Sequence, residues 1–262
     1  MSLAVLRLDA ALEAAKRESR LALVAYLMAG DPDLASSLQL ARAAVASGAD
    51  VLELGVPFSD PLADGATIQR ASERALASGT RLEDVIAMAH ELRRDRDVPI
   101  LLMGYANPFY RHGLDSLARD LVDAGIDGVI VPDLPQEEAS EIDAAFARDR
   151  LVRICLVAPT TPDERLAVLV PPARGFVYCV SLTGVTGARA ALADDLAAFV
   201  ARVRRYATVP VAVGFGISRP EHVRALRGVA DAVAVGSAIV DAAERGADSV
   251  GALVRSLREA CG

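Results

Sequence analysis

Apolar residues along this chain fall into two alternating patterns. Short β-branched runs recur at Leu21–Met28, Val51–Leu54, Pro99–Met103, Gly128–Val131, Val152–Val157, Phe176–Ser181, Pro210–Val213 and Ala232–Val235. Between them, apolar residues return at helical spacing, as in Leu34–Gly48, Ala66–Ser78, Leu82–Asp95 and Leu114–Gly125, the last stopping at a glycine. Further helices are expected at 137–149, 162–170, 194–206 and 220–228, and in the C-terminal run to Glu259. The opening MSLAVLRLDAALEAAKRES alternates apolar and charged residues, which predicts an amphipathic helix rather than a signal peptide.

Strands that each lead into a helix imply a parallel sheet with right-handed crossovers. A closed barrel and an open doubly wound sheet both satisfy this pattern. The count of eight, in a chain of 262 residues, favours closure. The first strand runs into Ala29-Gly30-Asp31-Pro32, a poor match to the glycine-rich turn that opens many doubly wound folds. The expectation is an α/β fold, an eight-stranded parallel (β/α)8 TIM barrel with an extra N-terminal helix. No linker or low-complexity stretch divides it, so one domain over 1–262 is expected.

Composition narrows the function. Hydrophobic residues make up 53%, enough to bury a core, and the net charge of -7 comes without a basic stripe. Nucleic acid and anionic membrane surfaces are therefore not expected as partners. No apolar run approaches the ~20 residues that span a bilayer. Cys155, Cys179 and Cys261 are odd in number and far apart, as in reduced thiols of a cytoplasmic protein. His90, His112 and His222 have no metal-ligand spacing, so no metal is expected. His112 is placed in a loop, and the Arg93-Arg94 and Arg204-Arg205 pairs on solvated helix faces. Lys16, the sole lysine, precedes the first strand, which removes Schiff-base chemistry at a strand end.

In such barrels, chemistry sits at the C-terminal ends of the strands. Glu53 interrupts the apolar run of the second strand. It is either a salt-bridged structural carboxylate or an acid–base group whose pKa is raised by desolvation. The loop after it, Phe58 to Gly65, carries Asp60 and Asp64. Asp-Pro and Asp-Gly also form turns, but the loop is long for a βα connection, as loops that hold substrate often are. The loops after the last two strands, Gly214-Phe215-Gly216-Ile217-Ser218 and Val235-Gly236-Ser237, put small residues beside helix starts where barrels commonly bind phosphate. The segment Thr183 to Ala188 is also glycine-rich, suited to further N–H donors or to a lid. Tyr26 and Met103, near strand ends, suit either a pocket wall or core.

The runs LELGVPFSDPLADGATIQRA (Leu52 to Ala71), LMGYANP (Leu102 to Pro108), GVIVPDLP (Gly128 to Pro135), LVAPTTP (Leu156 to Pro162), SLTGVTG (Ser181 to Gly187) and VAVGFGIS (Val211 to Ser218) together resemble the tryptophan synthase alpha chain family. The resemblance implies a barrel that cleaves indole-3-glycerol phosphate to indole and glyceraldehyde 3-phosphate. Glu53 matches the family's acid–base glutamate, and Asp64 the aspartate that accepts the indole N–H. Gly187, Phe215, Gly216, Gly236 and Ser237 match phosphate-binding positions, and Tyr178 a tyrosine of the same pocket. Tyr26, where many members have phenylalanine, would wall the indole with Ile68 and Met103. Asp60 is expected to be structural or part of a partner contact. A beta chain carrying pyridoxal phosphate is implied as partner, in an assembly of two alpha and two beta chains, with no cofactor in this chain. Pro57, Asn107, Pro108 and Asp133 lie in stretches matching beta-facing or coupling loops. Ala66 replaces a proline common in the family, and Leu182 and Thr183 fall in a variable part of their loop. A stand-alone lyase, and a non-catalytic subunit that only activates a beta chain, are the alternatives.

Overall fold

The computed structural model describes residues 7–95, 97–149, 151–180, 189–214 and 216–262. Nine strands form one all-parallel sheet: β1 (Ala22–Met28), β2 (Val51–Gly55), β3 (Ile100–Met103), β4 (Gly128–Ile130), β5 (Val152–Arg153), β6 (Cys155–Val157), β7 (Val177–Val180), β8 (Val211–Gly214) and β9 (Ala232–Val235). Their order is β5-β4-β3-β2-β1-β9-β8-β7-β6. The two ends of that order, β5 and β6, are consecutive in the chain and separated only by Ile154. The single fifth strand expected at Val152–Val157 is therefore two pieces. Its first half pairs back with β4 and its second half forward with β7, so the chain itself closes the ring. Ile154 bridges the change of partner by donating its N–H to the Val129 carbonyl at 2.9 Å.

The strands are apolar at nearly every position because both of their faces are covered. β1, β2, β8 and β9 are buried at every position. Residues facing outward join the surrounding helices in a large core, and those facing inward fill the barrel. The N-terminal helix, Arg7–Arg17, plugs the lower end of the barrel. Its Leu8, Leu12 and Ala15 pack among the inward residues Val24, Val51, Leu101, Ile130, Ile154 and Phe176.

That plug is tied down by a polar cluster the sequence did not suggest. Asp127 is buried, and it accepts from the Ile100 N–H at 2.9 Å, from Arg7 Nε at 2.9 Å and from Arg93 Nη2 at 3.1 Å. Arg93 is thus not on a solvated helix face: its guanidinium reaches inward to Asp127 and the Gly125 carbonyl. His112 differs too. It ends a helix, Ala106–His112, where a loop was expected, and its ring nitrogens meet Asp120 at 2.6 Å and Glu83 at 3.3 Å. The helix expected at 137–149 begins as a 3-10 turn, Gln136–Glu138, before Ser140–Asp149. Asp33 caps the helix Leu34–Ala46 by accepting from the Ser36 N–H at 2.8 Å. All three cysteines are free and buried.

Candidate active site

Glu53 sits on β2 in register with Tyr26 of β1 and Leu101 of β3. In-register residues of parallel strands share a face, so its side chain projects into the barrel. It is 1% exposed, and its Oε2 has no hydrogen-bond partner among the described residues. An ionised carboxylate so placed lacks both water and donors. Burial, with the charge of Asp64 added, pushes its pKa up to about 8. At neutral pH Glu53 therefore holds a proton.

Asp64 comes from the long loop after β2. The Val56 N–H extends the strand pairing by donating to the Met103 carbonyl at 2.8 Å. Ser72, on the helix Ala66–Ala77, then bonds both the N–H and the carbonyl of Phe58, at 2.9 and 3.0 Å. Gln69 Nε2 donates to the carbonyls of Asp64 at 2.9 Å and Pro61 at 3.3 Å. The Tyr105 hydroxyl accepts from the Ala63 N–H at 3.0 Å and faces the Asp64 carboxylate, while its ring stacks on Phe58 with centroids 5.0 Å apart. Burial pushes Asp64 up to about 6, against the Tyr105 hydrogen bond, which pulls it down. Sequence reasoning missed Tyr105, Ser72 and Gln69. Tyr105 lay within a quoted run, two residues past the end of β3, and that position was the available signal.

Asp60 is exposed and accepts from the Ser59 hydroxyl at 2.5 Å, outside this group. Leu62, at the tip of the loop, is 94% exposed.

Three of the expected indole-wall residues come together. Tyr26, Ile68 and Met103 form one apolar cluster with Met28, Ala71, Ala75 and Val240. Gly236 joins them, because a side chain there would stand 3.6 Å from both Ile68 Cδ1 and Tyr26 Cδ1. Gly236 immediately precedes the helix Ser237–Ala243, and Ser237 is exposed. Gly216 is exposed with a φ of 72°, a left-handed conformation that suits glycine. Gly236 thus brings one expected phosphate-loop residue against the apolar wall, with Ser237 next to it in the chain. Tyr178 rises from β7, and its hydroxyl lies where a Cβ on Gly214 of β8 would be, 2.4 Å away. Gly187 and Phe215 lie outside the described residues, as do Leu182 and Thr183.

The ionised forms of Glu53 and Asp64 both bear on Tyr26, and Glu53 on Tyr178. Two carboxyls, three phenols and an apolar wall therefore share the mouth of the barrel. A neutral acid beside a more acidic carboxyl can give a proton to one atom of a substrate while the other carboxyl holds a hydrogen-bond donor. Among the described residues, no group of three or more His, Cys, Asp and Glu could hold a metal ion, and no helix is long and apolar enough to cross a membrane. Lys16 lies on the plugging helix at the opposite end.

Comparison with known proteins gives a consistent answer. The family model described as tryptophan synthase alpha chain matches residues 12–262. A tryptophan synthase alpha chain from Roseiflexus castenholzii is 57% identical over 227 residues, covering 86% of this chain and 87% of the relative. One from Geobacter sulfurreducens is 50% identical over 253 residues, covering 94% and 96%. Among solved structures, tryptophan synthase subunit alpha from Legionella pneumophila superposes with a TM-score of 0.91 at 38% identity, covering 98% of each chain. A chain of Mycobacterium tuberculosis tryptophan synthase gives 0.91 at 41% identity, also covering 98% of each. The barrel, its paired carboxyls and these matches agree: the chain belongs to the tryptophan synthase alpha chain family.

Proposed function

We propose that this chain is a lyase that cleaves indole-3-glycerol phosphate to indole and glyceraldehyde 3-phosphate. The observation that carries the reading is the buried carboxyl of Glu53, whose Oε2 has no partner among the described residues, at the barrel mouth it shares with Asp64. Glu53 gives its proton to ring carbon 3 of the indole, leaving an iminium-like ring. The bond from that carbon to the glycerol carbon breaks, and its electron pair restores the aromatic ring. The adjoining hydroxyl becomes the aldehyde, and its proton returns to Glu53. Asp64, as the anion, accepts the indole N–H, whose hydrogen bond strengthens as positive charge develops there. Tyr26, Ile68 and Met103 enclose the ring. Gly216, Gly236 and Ser237, with Gly187, Phe215 and Tyr178, hold the phosphate, so that remote binding energy fixes the reacting carbon at Glu53.

In this reading one cytoplasmic domain spans the chain and pairs with a beta chain that carries the pyridoxal phosphate. The exposed Leu62 at the tip of the Asp64 loop supports such a contact. So does the bond from the Ala106 N–H to Asp133 Oδ1 at 2.9 Å, which ties together two of the loops assigned to it. The test is incubation with indole-3-glycerol phosphate, with and without a beta chain, followed by detection of indole. Release accelerated by the beta chain is expected. Full turnover by the chain alone would favour a stand-alone lyase, and no indole in either case would contradict the reading.

A further inference from the structure

Glu53 and Tyr26 stand on adjacent strands at the mouth of the barrel, and each carries a polar atom with no hydrogen bond to a described residue. One is Glu53 Oε2. The other is the hydroxyl of Tyr26, on a side chain that is 4% exposed; the hydroxyl of Tyr178 likewise makes no hydrogen bond to any described residue. Tyr26 and Glu53 are in register, so both side chains enter the barrel from the same face of the sheet. The Tyr26 ring leans across onto β2. Its hydroxyl lies 2.2 Å from where a Cβ on Gly55 would be, so only glycine admits it, two residues beyond Glu53 on the same strand.

We propose that the Tyr26 hydroxyl is the hydrogen-bond donor to Glu53 once that carboxyl has given up its proton, making Tyr26 a positioning residue that acts through Glu53. The kinetic consequence of this rests on the lyase reading. The titration consequence does not.

The other groups around Glu53 are poorer candidates. Asp64, from the loop after β2, is an anion and donates nothing. Tyr178, from β7, also feels the charge of Glu53 across the barrel, but its hydroxyl rests on Gly214 of β8 whereas that of Tyr26 rests on β2 itself. β3 and β4 bring Leu101, Met103 and Ile130, which carry no charge. Burial and the neighbouring carboxylates hold the Tyr26 proton firmly on its oxygen, so the phenol stays a donor throughout the cycle. A carboxylate formed in this niche needs a donor more than the neutral acid does. The phenol therefore favours the state Glu53 reaches after protonating the substrate.

The experiment is a carbon-13 NMR titration of the whole chain labelled at glutamate carboxyls, with Glu53→Gln used to assign the Glu53 signal. In Tyr26→Phe, which keeps the ring, the Glu53 midpoint is expected to rise by about one pH unit, a tenfold change in proton affinity. A fluorinated tyrosine at position 26, a stronger donor of nearly the same shape, should lower it. In Tyr178→Phe it should stay within a few tenths of a unit. An unchanged midpoint in Tyr26→Phe, or an equal or larger shift in Tyr178→Phe, would overturn the proposal. With indole-3-glycerol phosphate, Tyr26→Phe should lower kcat about tenfold, leave KM within about twofold and move the falling alkaline limb upward. Lower kcat with an unmoved limb would mean a packing role and would also overturn it. A wild-type chain that releases no indole would sink the lyase reading alone, and the titration would still decide the role of Tyr26.

Discussion

Asp64 supplies the charge that helps hold the proton on Glu53. Its own pKa, about 6, lies below the value of about 8 that burial and this charge impose on Glu53. Asp64 therefore ionises first, and Glu53 must then lose its proton against a standing negative charge. Between the two values the mouth of the barrel holds one anion and one neutral acid. That pairing is what the proposed cleavage requires, and the two groups titrate as a coupled pair.

Glu53 should make the protein less stable as pH rises. Its folded pKa, about 8, exceeds the ordinary 4.5 of an unfolded glutamate. Between those values the folded state keeps a proton that the unfolded state has lost, so stability falls across that window, by about 5 kcal/mol at most. Glu53→Gln lacks this dependence. Urea midpoints of the two proteins should coincide near about pH 4 and favour the variant by about pH 8.5. Parallel curves would show that Glu53 is not held neutral.

Tyr105 steadies Asp64 from the end of β3. Tyr105→Phe removes the donor that pulls the Asp64 pKa down and the acceptor of the Ala63 N–H. The rising acid limb of indole release should move to higher pH, and stability should drop by about 1 kcal/mol. Measuring kcat/KM against pH in the variant checks the first point. An unmoved limb would mean that Tyr105 only packs against Phe58.

Gly55 is demanded by its neighbour. A methyl group there would lie 2.2 Å from the Tyr26 hydroxyl and 2.7 Å from Cζ, so the ring must move. Gly55→Ala should cost about 1–3 kcal/mol in urea unfolding, as overpacking does, and should weaken indole binding by displacing a wall of the pocket. Wild-type values for both would show that Tyr26 is free to swing aside.

The plugging helix tests stability apart from chemistry. Leu8 is fully buried, with Cδ2 against Gly175. Leu8→Ala should cost about 2–5 kcal/mol by leaving a cavity. Because it acts at the opposite end of the barrel, kcat should stay within about twofold. A large loss of kcat in folded protein would show that the lower end communicates with the mouth.

Much of this fold was legible in the residues. The β-branched runs located every strand because parallel strands buried on both faces leave a continuous apolar signature. Ile154 hid the seam, since a change of pairing partner at one apolar residue leaves no mark in the composition. Arg93 looked solvated because helical spacing shows which face a side chain occupies but not how far a long guanidinium reaches toward a carboxylate such as Asp127. At the mouth, Glu53 announced itself as a charge in an apolar run. Tyr105 did not, because an aromatic residue beside a strand end reads equally well as core. The partnerless hydroxyl of Tyr26 emerges only from register and close approach, which sequence does not encode directly.

The most direct measurement of the central claim is kcat/KM for indole release from indole-3-glycerol phosphate as a function of pH. A bell is expected, rising through about 6 as Asp64 ionises and falling through about 8 as Glu53 loses its proton. Asp64→Asn should remove the rising limb, and Glu53→Gln should abolish release. A flat profile, or near-normal turnover by Glu53→Gln, would contradict the assignment of a neutral Glu53 beside an ionised Asp64 as the reacting pair.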